Sequence, residues 1–151
     1  MVRRRLAPFV GMLLLAISFA GCSFNNAYEF NAGTITPPRE APPLQLSDQY
    51  GQPWDIADQT DKVVLLYFGY TLCPSACPTT LSDWIEVKRL LGDKADEVEF
   101  VFVTIAPERD SIDRMKAYLD FFDSSFVGLT GNAEQIAAIQ QDYGIMAVRE
   151  D

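Results

Sequence analysis

The chain is 151 residues long, carries a formal net charge of −9 and contains no histidine. That length suits one domain with a core of its own and hardly two. The acidic charge argues against nucleic-acid binding through a basic surface, and the absence of histidine removes a common metal ligand and the commonest partner of a reactive thiol.

The N-terminus has the pattern of a secretory signal. A basic segment, residues 3–5, precedes an apolar stretch over residues 6–20, and Gly21-Cys22 follows. This pattern resembles a bacterial lipoprotein signal, so we predict a signal peptide over residues 1–21 and lipid attachment to Cys22. The alternative is an uncleaved signal anchor, although the apolar stretch is shorter than the ~20 residues of a spanning helix. Either way, the remainder is expected outside the cytoplasmic membrane and anchored to it.

A tether is predicted between the signal and the globular domain. Residues 22–43 are poor in apolar pattern and contain two Pro-Pro pairs, which favour an extended, flexible segment. The domain itself is expected over residues 44–151. It opens with a predicted hairpin, because apolar and polar residues alternate in segments 44–46 and 54–56 around the turn residues 48–51.

Strands and helices alternate through the rest of the domain. The predicted strands are residues 63–68, 98–105 and 126–129; the predicted helices start near Pro78, Ser111 and Asn132, and the first and last end at Gly92 and Gly144. The first strand is nearly all apolar, which indicates burial on both faces. This alternation predicts an α/β fold with a parallel sheet. Residues 145–151 resemble the start of another element, so we expect the domain to be incomplete at its C-terminus.

Two cysteines follow the first buried strand, where the first helix begins. Cys73 and Cys77 are one helical turn apart, and a proline follows each of them. Backbone N–H groups and the dipole at a helix N-terminus favour thiolate, the form that attacks disulfides and binds soft metal ions. The pair can therefore close a disulfide or hold Cu(I). We expect both sulfurs to lie within bonding reach of each other and open to solvent.

Other interpretations of the candidate residues are weaker. Zinc fits poorly, because a closed zinc site needs four N or S ligands and the domain offers two sulfurs. A structural disulfide, or two cysteines in a core, is the alternative for Cys73 and Cys77. The aspartates Asp110, Asp113 and Asp120 are expected on a solvated helix face; the aromatic residues Tyr67, Phe68, Tyr70, Trp84, Phe121 and Phe122, with Met115 and Met146, are expected in the core.

Three motifs, in chain order, resemble the Sco/SenC family. They are Tyr67-Phe-Gly-Tyr-Thr-Leu-Cys-Pro-Ser-Ala-Cys77-Pro, Pro107-Glu-Arg-Asp110 and Phe126-Val-Gly-Leu-Thr-Gly131, within a match from about Leu44 to Gly144. The resemblance implies a thioredoxin-like fold and delivery of copper to the CuA site of cytochrome c oxidase, with thiol–disulfide exchange on the partner as a related activity. By position, Cys73 and Cys77 resemble the family's copper-binding and redox cysteines.

Two features depart from the family pattern. The family's third copper ligand is a histidine in a later loop, and this chain ends before that loop. Members commonly have Asp-Pro-Glu-Arg-Asp where this chain has Ala106-Pro-Glu-Arg-Asp110, which bears on partner docking or on tuning of the site. The resulting hypothesis is a membrane-tethered copper metallochaperone. Cys73 and Cys77 hold Cu(I) or Cu(II), and the oxidase subunit that carries CuA is the partner.

Two further hypotheses stay open. The chain can be a thiol–disulfide oxidoreductase that acts on partner cysteines without metal. A peroxide-reducing thiol enzyme is the third possibility, but it needs an activating positive group near the reactive thiol. The sequence neighbours of Cys73 supply none, although Arg109 could approach it in space.

Overall fold

The computed structural model describes residues 32–146. The predicted signal peptide (residues 1–21), the predicted lipid site Cys22 and the last five residues lie outside this range. Residues 32–39 form no helix or strand, and the chain from Glu40 onward forms a compact unit. Within the described part of the chain, no helix has the length and apolar character needed to cross a membrane.

Strands and helices alternate as the sequence predicts. The elements are β1 (Gln45–Ser47), β2 (Pro53–Asp55), β3 (Val63–Gly69), α1 (Ala76–Leu91), β4 (Val98–Thr104), α2 (Ile112–Phe122), β5 (Val127–Leu129) and α3 (Ala133–Asp142), with short 3₁₀ segments over Ile56–Asp58 and Gly92–Glu97. Strands β1 and β2 form an antiparallel hairpin, and a parallel sheet has the order β3-β4-β5. The predicted α/β class is confirmed, whereas the 3₁₀ segments were not predicted.

The register of β3 and β4 brings two loops together. The strands pair in parallel from Val63 opposite Val98 to Gly69 opposite Thr104, so their carboxyl ends meet at one edge of the sheet. The N–H of Ile105 continues this pairing by donating to the Gly69 carbonyl over 2.8 Å. The loop after β3 carries the cysteine pair, and the loop after β4 carries the Pro-Glu-Arg-Asp motif. Residues far apart in sequence therefore meet at this edge.

Local capping sets the start of two helices. Ser111 accepts a hydrogen bond from the N–H of Arg114 at the start of α2. At the start of α3, the side chains of Asn132 and Gln135 each accept from the backbone N–H of the other, which is a capping box. Both caps agree with the predicted starts of these helices.

Helix α1 starts earlier than predicted. Its first residue is Ala76 rather than Pro78, so Cys77 lies inside the first turn. A proline is tolerated there because the first-turn N–H groups have no partner within the helix. The helix ends as predicted before Gly92, which has a φ of 56° that a glycine adopts without strain.

The core lies on both faces of the sheet. Successive residues of β4 point to opposite faces, so Phe100 and Phe102 join one hydrophobic cluster and Val101 and Val103 join another. The first cluster adds the buried residues Cys77, Leu81, Trp84, Met115, Leu119 and Phe126; the second adds Leu44, Leu46, Leu129, Ile136 and Ile139. Cys77 is thus a member of the cluster between the sheet, α1 and α2.

Three predicted burials are wrong. Strand β3 is only half-buried along most of its length, because among residues 32–146 it pairs with β4 alone. Phe121 is 81% exposed, since the buried stripe of α2 runs through Met115 and Leu119 and Phe121 lies off it. Met146 is 95% exposed beyond the end of α3.

Candidate functional site

The structure places Cys73 and Cys77 in contact at the carboxyl end of β3. A turn precedes α1. In this turn, the N–H of Cys73 donates to the Tyr70 carbonyl over 3.2 Å. Four residues on, the N–H of Cys77 donates to Cys73 Sγ over 3.3 Å. Both cysteines are free thiols. Thiols in this arrangement can close a disulfide or share a soft metal ion.

The two sulfurs differ in exposure. Cys73 is half-buried, whereas Cys77 is only 3% exposed, so the prediction that both lie open to solvent is wrong for Cys77. The first turn of α1 directs Cys77 into the core cluster, into space that Gly69 leaves free. A Cβ atom at Gly69 would lie 2.9 Å from Cys77 Sγ and 2.9 Å from the Phe102 ring. Access to the pair is therefore from the Cys73 side.

The environments of the two thiols push their pKa values apart. Partial burial raises the pKa of Cys73, but hydrogen bonds from the Cys77 N–H, the Cys77 thiol and the N–H groups of Ser75 and Ala76 outweigh it. The net pKa of Cys73 is below its ordinary value. Burial raises the pKa of Cys77, and its hydrogen bond to Cys73 raises it further. Cys73 therefore loses its proton more readily than Cys77.

Aromatic side chains enclose the Cys77 sulfur. The Tyr67 hydroxyl donates to Cys77 Sγ over 3.6 Å, and its ring packs on Trp84 and Phe102 with centroids 6.2 and 5.9 Å away. Burial raises the pKa of Tyr67, and so does the bond to Cys77. Burial also raises the pKa of Tyr118 to about 12, with the nearby cysteine charges adding to the effect. The buried Tyr118 hydroxyl lacks a hydrogen-bond partner among the described residues.

Sequence reasoning assigned Tyr67 to the core and missed its contact with the site. The strand period of two was the available signal, since Tyr67 and Gly69 point to the same face of β3. That face is the one into which Cys77 packs. Tyr118 was not singled out, because its helical position gives no sign of the nearby sulfurs.

Asp110 lies under the loop that leads to Cys73, and the prediction that it occupies a solvated helix face is wrong. Its side chain is 1% exposed, because α2 begins only at Ile112 and Asp110 belongs to the loop before it. The carboxylate accepts hydrogen bonds from the Thr71 N–H at 3.0 Å, the Thr71 hydroxyl at 2.5 Å and the Thr104 hydroxyl at 2.7 Å. Asp113 and Asp120 are exposed on α2, as predicted.

Arg109 contacts Tyr70 beside the site. Its guanidinium carbon lies 5.4 Å from the Tyr70 ring centroid, and its Nε is 3.8 Å from Glu108 Oε1. A charge on Cys73 is the main cause that raises the pKa of Tyr70. Ala106, at the position where the family commonly has aspartate, is 3% exposed, and its carbonyl accepts from the N–H groups of Arg109 and Asp110.

The two sulfurs fit a soft ion of low coordination number. Within residues 32–146, no group of three or more His, Cys, Asp or Glu side chains could hold a metal ion. Two thiolates are suitable ligands for Cu(I), whereas a closed zinc site needs four ligands.

Sequence comparisons relate the chain to a known family. The SCO1/SenC family model matches residues 32–151. A relative from Stutzerimonas stutzeri is 36% identical over 126 residues, which are 80% of this chain and 60% of that protein. The mitochondrial SCO2 homolog of Mus musculus is 40% identical over 104 residues, 68% of this chain and 41% of that protein. The chain thus spans about half the length of these curated relatives.

Solved structures give the same relationship. The copper-bound structure of Bradyrhizobium japonicum ScoI is 40% identical and superposes with a TM-score of 0.66 over 69% of this chain and 66% of that chain. Copper-bound yeast Sco1 is 31% identical, with a TM-score of 0.65 over 70% of this chain and 68% of that chain. These likenesses confirm the predicted thioredoxin-like fold. The chain belongs to the SCO1/SenC family.

Proposed function

We propose that this chain is a copper metallochaperone in which Cys73 and Cys77 hold Cu(I) as cargo. The observation that carries the proposal is the contact between the two cysteines, with the Cys77 N–H on Cys73 Sγ at 3.3 Å. Thiolates are preferred ligands of Cu(I), and the environment of Cys73 already favours its thiolate. The copper-bound structures of ScoI and Sco1 support the same cargo.

The burial of the pair suggests an order of events. Cys73, the more exposed sulfur, meets the ion first, and Cys77 then binds it from the core side. Cys77 releases its proton on binding, because the ligand is the thiolate. The third ligand of the family is a histidine, which these 151 residues do not contain, and we propose that a group outside them completes the site.

The partner and the location complete this proposal. We propose that the copper goes to the CuA site of the cytochrome c oxidase subunit, as the family resemblance implies. The N-terminal pattern supports a lipoprotein with lipid on Cys22, tethered outside the cytoplasmic membrane by residues 22–43. A lipid tether would keep the domain on the same membrane as such a partner.

Copper transfer tests the whole proposal. The reduced chain, loaded with Cu(I), is mixed with a metal-free CuA domain. Ferricyanide then removes one electron from each copper pair, and the CuA absorption bands are measured. We expect the wild type and the control Cys22→Ser to build the CuA centre, and Cys73→Ser to fail. Transfer no faster than from copper–glutathione at the same copper concentration would refute the metallochaperone function.

The asymmetry of the two thiols favours a second candidate, thiol–disulfide exchange. The Cys73 thiolate attacks a partner disulfide, forms a mixed disulfide and releases one partner thiolate. Cys77 then loses its proton and attacks Cys73 Sγ, which forms the Cys73–Cys77 disulfide and releases the second partner thiolate. The partner gains two electrons and the chain loses two.

Comparing two forms of the chain tests this candidate. Metal-free and copper-loaded protein are compared for reduction of a partner disulfide. Equal rates would favour the oxidoreductase, and a lack of activity in both forms would exclude it.

The third hypothesis, peroxide reduction, gains no support, because the Arg109 guanidinium is engaged with Tyr70 and Glu108.

A further inference from the structure

We propose that Asp110 is a positioning residue for the cysteine pair, because its buried carboxylate fixes the turn that presents Cys73 to the start of α1. The proposal deepens the function proposed above and rests on it. Within residues 32–146, Asp110 makes no hydrogen bond to either sulfur, so it would act through Thr71. The Asp110 carboxylate links the loop after β4 to the loop after β3.

The carboxylate is an unusual group to bury. Asp110 is 1% exposed, and the hydrogen-bond donors to its carboxylate in the described part of the chain belong to Thr71 and Thr104, neither of which carries a charge. Burying a carboxylate is costly unless hydrogen bonds replace its water shell. Three hydrogen bonds of 2.5, 2.7 and 3.0 Å do so here, which makes the arrangement sensitive to the loss of any one of them.

Thr71 is held at both of its donor groups. Its N–H and its hydroxyl bind the two carboxylate oxygens over 3.0 and 2.5 Å, so both its backbone and its side chain are fixed. Thr71 is also the second residue of the turn that the N–H of Cys73 closes onto the Tyr70 carbonyl at 3.2 Å. The orientation of Thr71 therefore determines where Cys73 lies relative to the N–H groups of α1.

A neighbouring contact strengthens the link between the loops. Arg109, the residue before Asp110, lies over the ring of Tyr70, the residue before Thr71. Two consecutive residues of one loop thus hold two consecutive residues of the other. The Thr104 hydroxyl extends the network, since it donates to Asp110 and accepts from the N–H of Ala106 at 3.0 Å.

An amide is a poor replacement for the carboxylate. All three groups that face Asp110 donate hydrogen bonds to it, and the Thr71 N–H cannot accept one. An asparagine NH₂ group that faces this N–H opposes two donors, and in the other orientation the Thr71 hydroxyl has to turn from donor to acceptor. Asp110→Asn changes little in volume but breaks part of the network. Thr71→Val removes only the hydroxyl, and Thr71→Ser keeps it. The three variants therefore separate loss of the hydrogen bond from loss of volume.

Two properties of Cys73 are measured in the full wild-type chain and in each variant, and the melting temperature of each protein is measured beside them. The first is the rate at which iodoacetamide alkylates Cys73 in the reduced, metal-free chain at neutral pH. The second is Cu(I) affinity in competition with a chromophoric chelator. We expect Asp110→Asn and Thr71→Val to lower both by about tenfold, the scale of other outer contacts at metal ligands. Thr71→Ser should stay within about twofold of wild type, because it retains the hydroxyl.

Gln49→Leu is the matched control for a purely structural effect. Gln49 is 4% exposed and makes two hydrogen bonds of 2.9 Å to the backbone at Phe126 and Gly128, on the side of β4 away from β3. We expect it to lower the melting temperature and leave both readouts at wild-type values. The proposal would be overturned if Asp110→Asn and Thr71→Val, like this control, lowered the melting temperature but left both readouts at wild-type values.

The alkylation arm separates this inference from the proposed function. If the wild-type chain binds no Cu(I), copper carriage is refuted. If Cys73 alkylation is nevertheless slower in Asp110→Asn and Thr71→Val than in wild type, positioning by Asp110 is supported. Normal alkylation and normal Cu(I) affinity in Thr71→Val would refute positioning and leave copper carriage standing. If Asp110→Asn does not fold, Thr71→Val decides the matter, because it keeps the carboxylate and its remaining donors.

Discussion

The backbone N–H of Cys77 donates a hydrogen bond to Cys73 Sγ over 3.3 Å. The same residue that stabilises the charge on Cys73 sends its own sulfur into the hydrophobic core, where it is 3% exposed. The four-residue spacing therefore gives one accessible thiol with a lowered pKa and one buried thiol with a raised pKa. Both candidate activities draw on this division, since each starts at Cys73 and finishes at Cys77.

The two thiols should react in a fixed order. Because hydrogen bonds keep the pKa of Cys73 below its ordinary value and burial raises that of Cys77, iodoacetamide should modify Cys73 first at neutral pH. The Cys73 rate should rise with pH and level off below the pKa of an ordinary cysteine, while Cys77 needs a higher pH. Peptide mass spectrometry measures both rates. The urea-unfolded chain is the control, and faster modification of Cys77 in the folded chain would be inconsistent with the geometry.

The Tyr67 hydroxyl should support the second step at Cys77. Tyr67→Phe keeps the ring but removes the donor that lies 3.6 Å from Cys77 Sγ and favours its thiolate. We expect attack of Cys77 on a mixed disulfide at Cys73 to slow by about two- to tenfold, as for loss of one modest hydrogen bond. Stopped-flow release of a chromophoric thiol measures this step.

Tyr118→Phe is the control for this prediction. The Tyr118 hydroxyl is buried and lacks a hydrogen-bond partner within the described part of the chain. Its removal should leave the rate unchanged and hold or increase stability, because a buried polar group without a partner is costly. Equal slowing in the two variants would contradict the prediction, because both keep their rings and only Tyr67→Phe loses a hydrogen bond to Cys77.

Gly69 should not tolerate a side chain. An added Cβ would lie 2.9 Å from both Cys77 Sγ and the Phe102 ring, which is closer than real contacts of this kind. We expect Gly69→Ala to reduce the free energy of unfolding by about 1–3 kcal/mol, as overpacking does in other cores. Urea denaturation measures the loss. Gly33→Ala, where nothing lies within 4 Å of the added Cβ, is the control, and equal effects of the two changes would contradict the packing described.

Short-range patterns predicted much of the fold. The Asn132–Gln135 capping box, the Ser111 cap and the stop at Gly92 involve residues within one helical turn, so the sequence alone carries their signal. The cysteine pair is of the same kind, because its spacing and its place after an apolar strand are both local. Its position in the fold agrees with the prediction for that reason.

Long-range packing explains the errors. Asp110 is buried because β3 and β4 end side by side, which brings Thr71 over a residue 39 positions later in the chain. The depth of Cys77 depends on Phe102 of another strand and on the missing side chain of Gly69. No local period distinguishes Asp110 from the exposed aspartates of α2. Such residues become visible only when the register of the sheet is known.

Anaerobic titration of the reduced chain with Cu(I), against a chromophoric chelator, tests the central claim most directly. Wild type, Cys73→Ser, Cys77→Ser and the control Cys22→Ser are compared. The account predicts that wild type and Cys22→Ser each take one equivalent of Cu(I) from the chelator, and that the other two variants do not compete. Binding by Cys77→Ser as tight as that of wild type would contradict the account, because the buried sulfur would then not be a ligand.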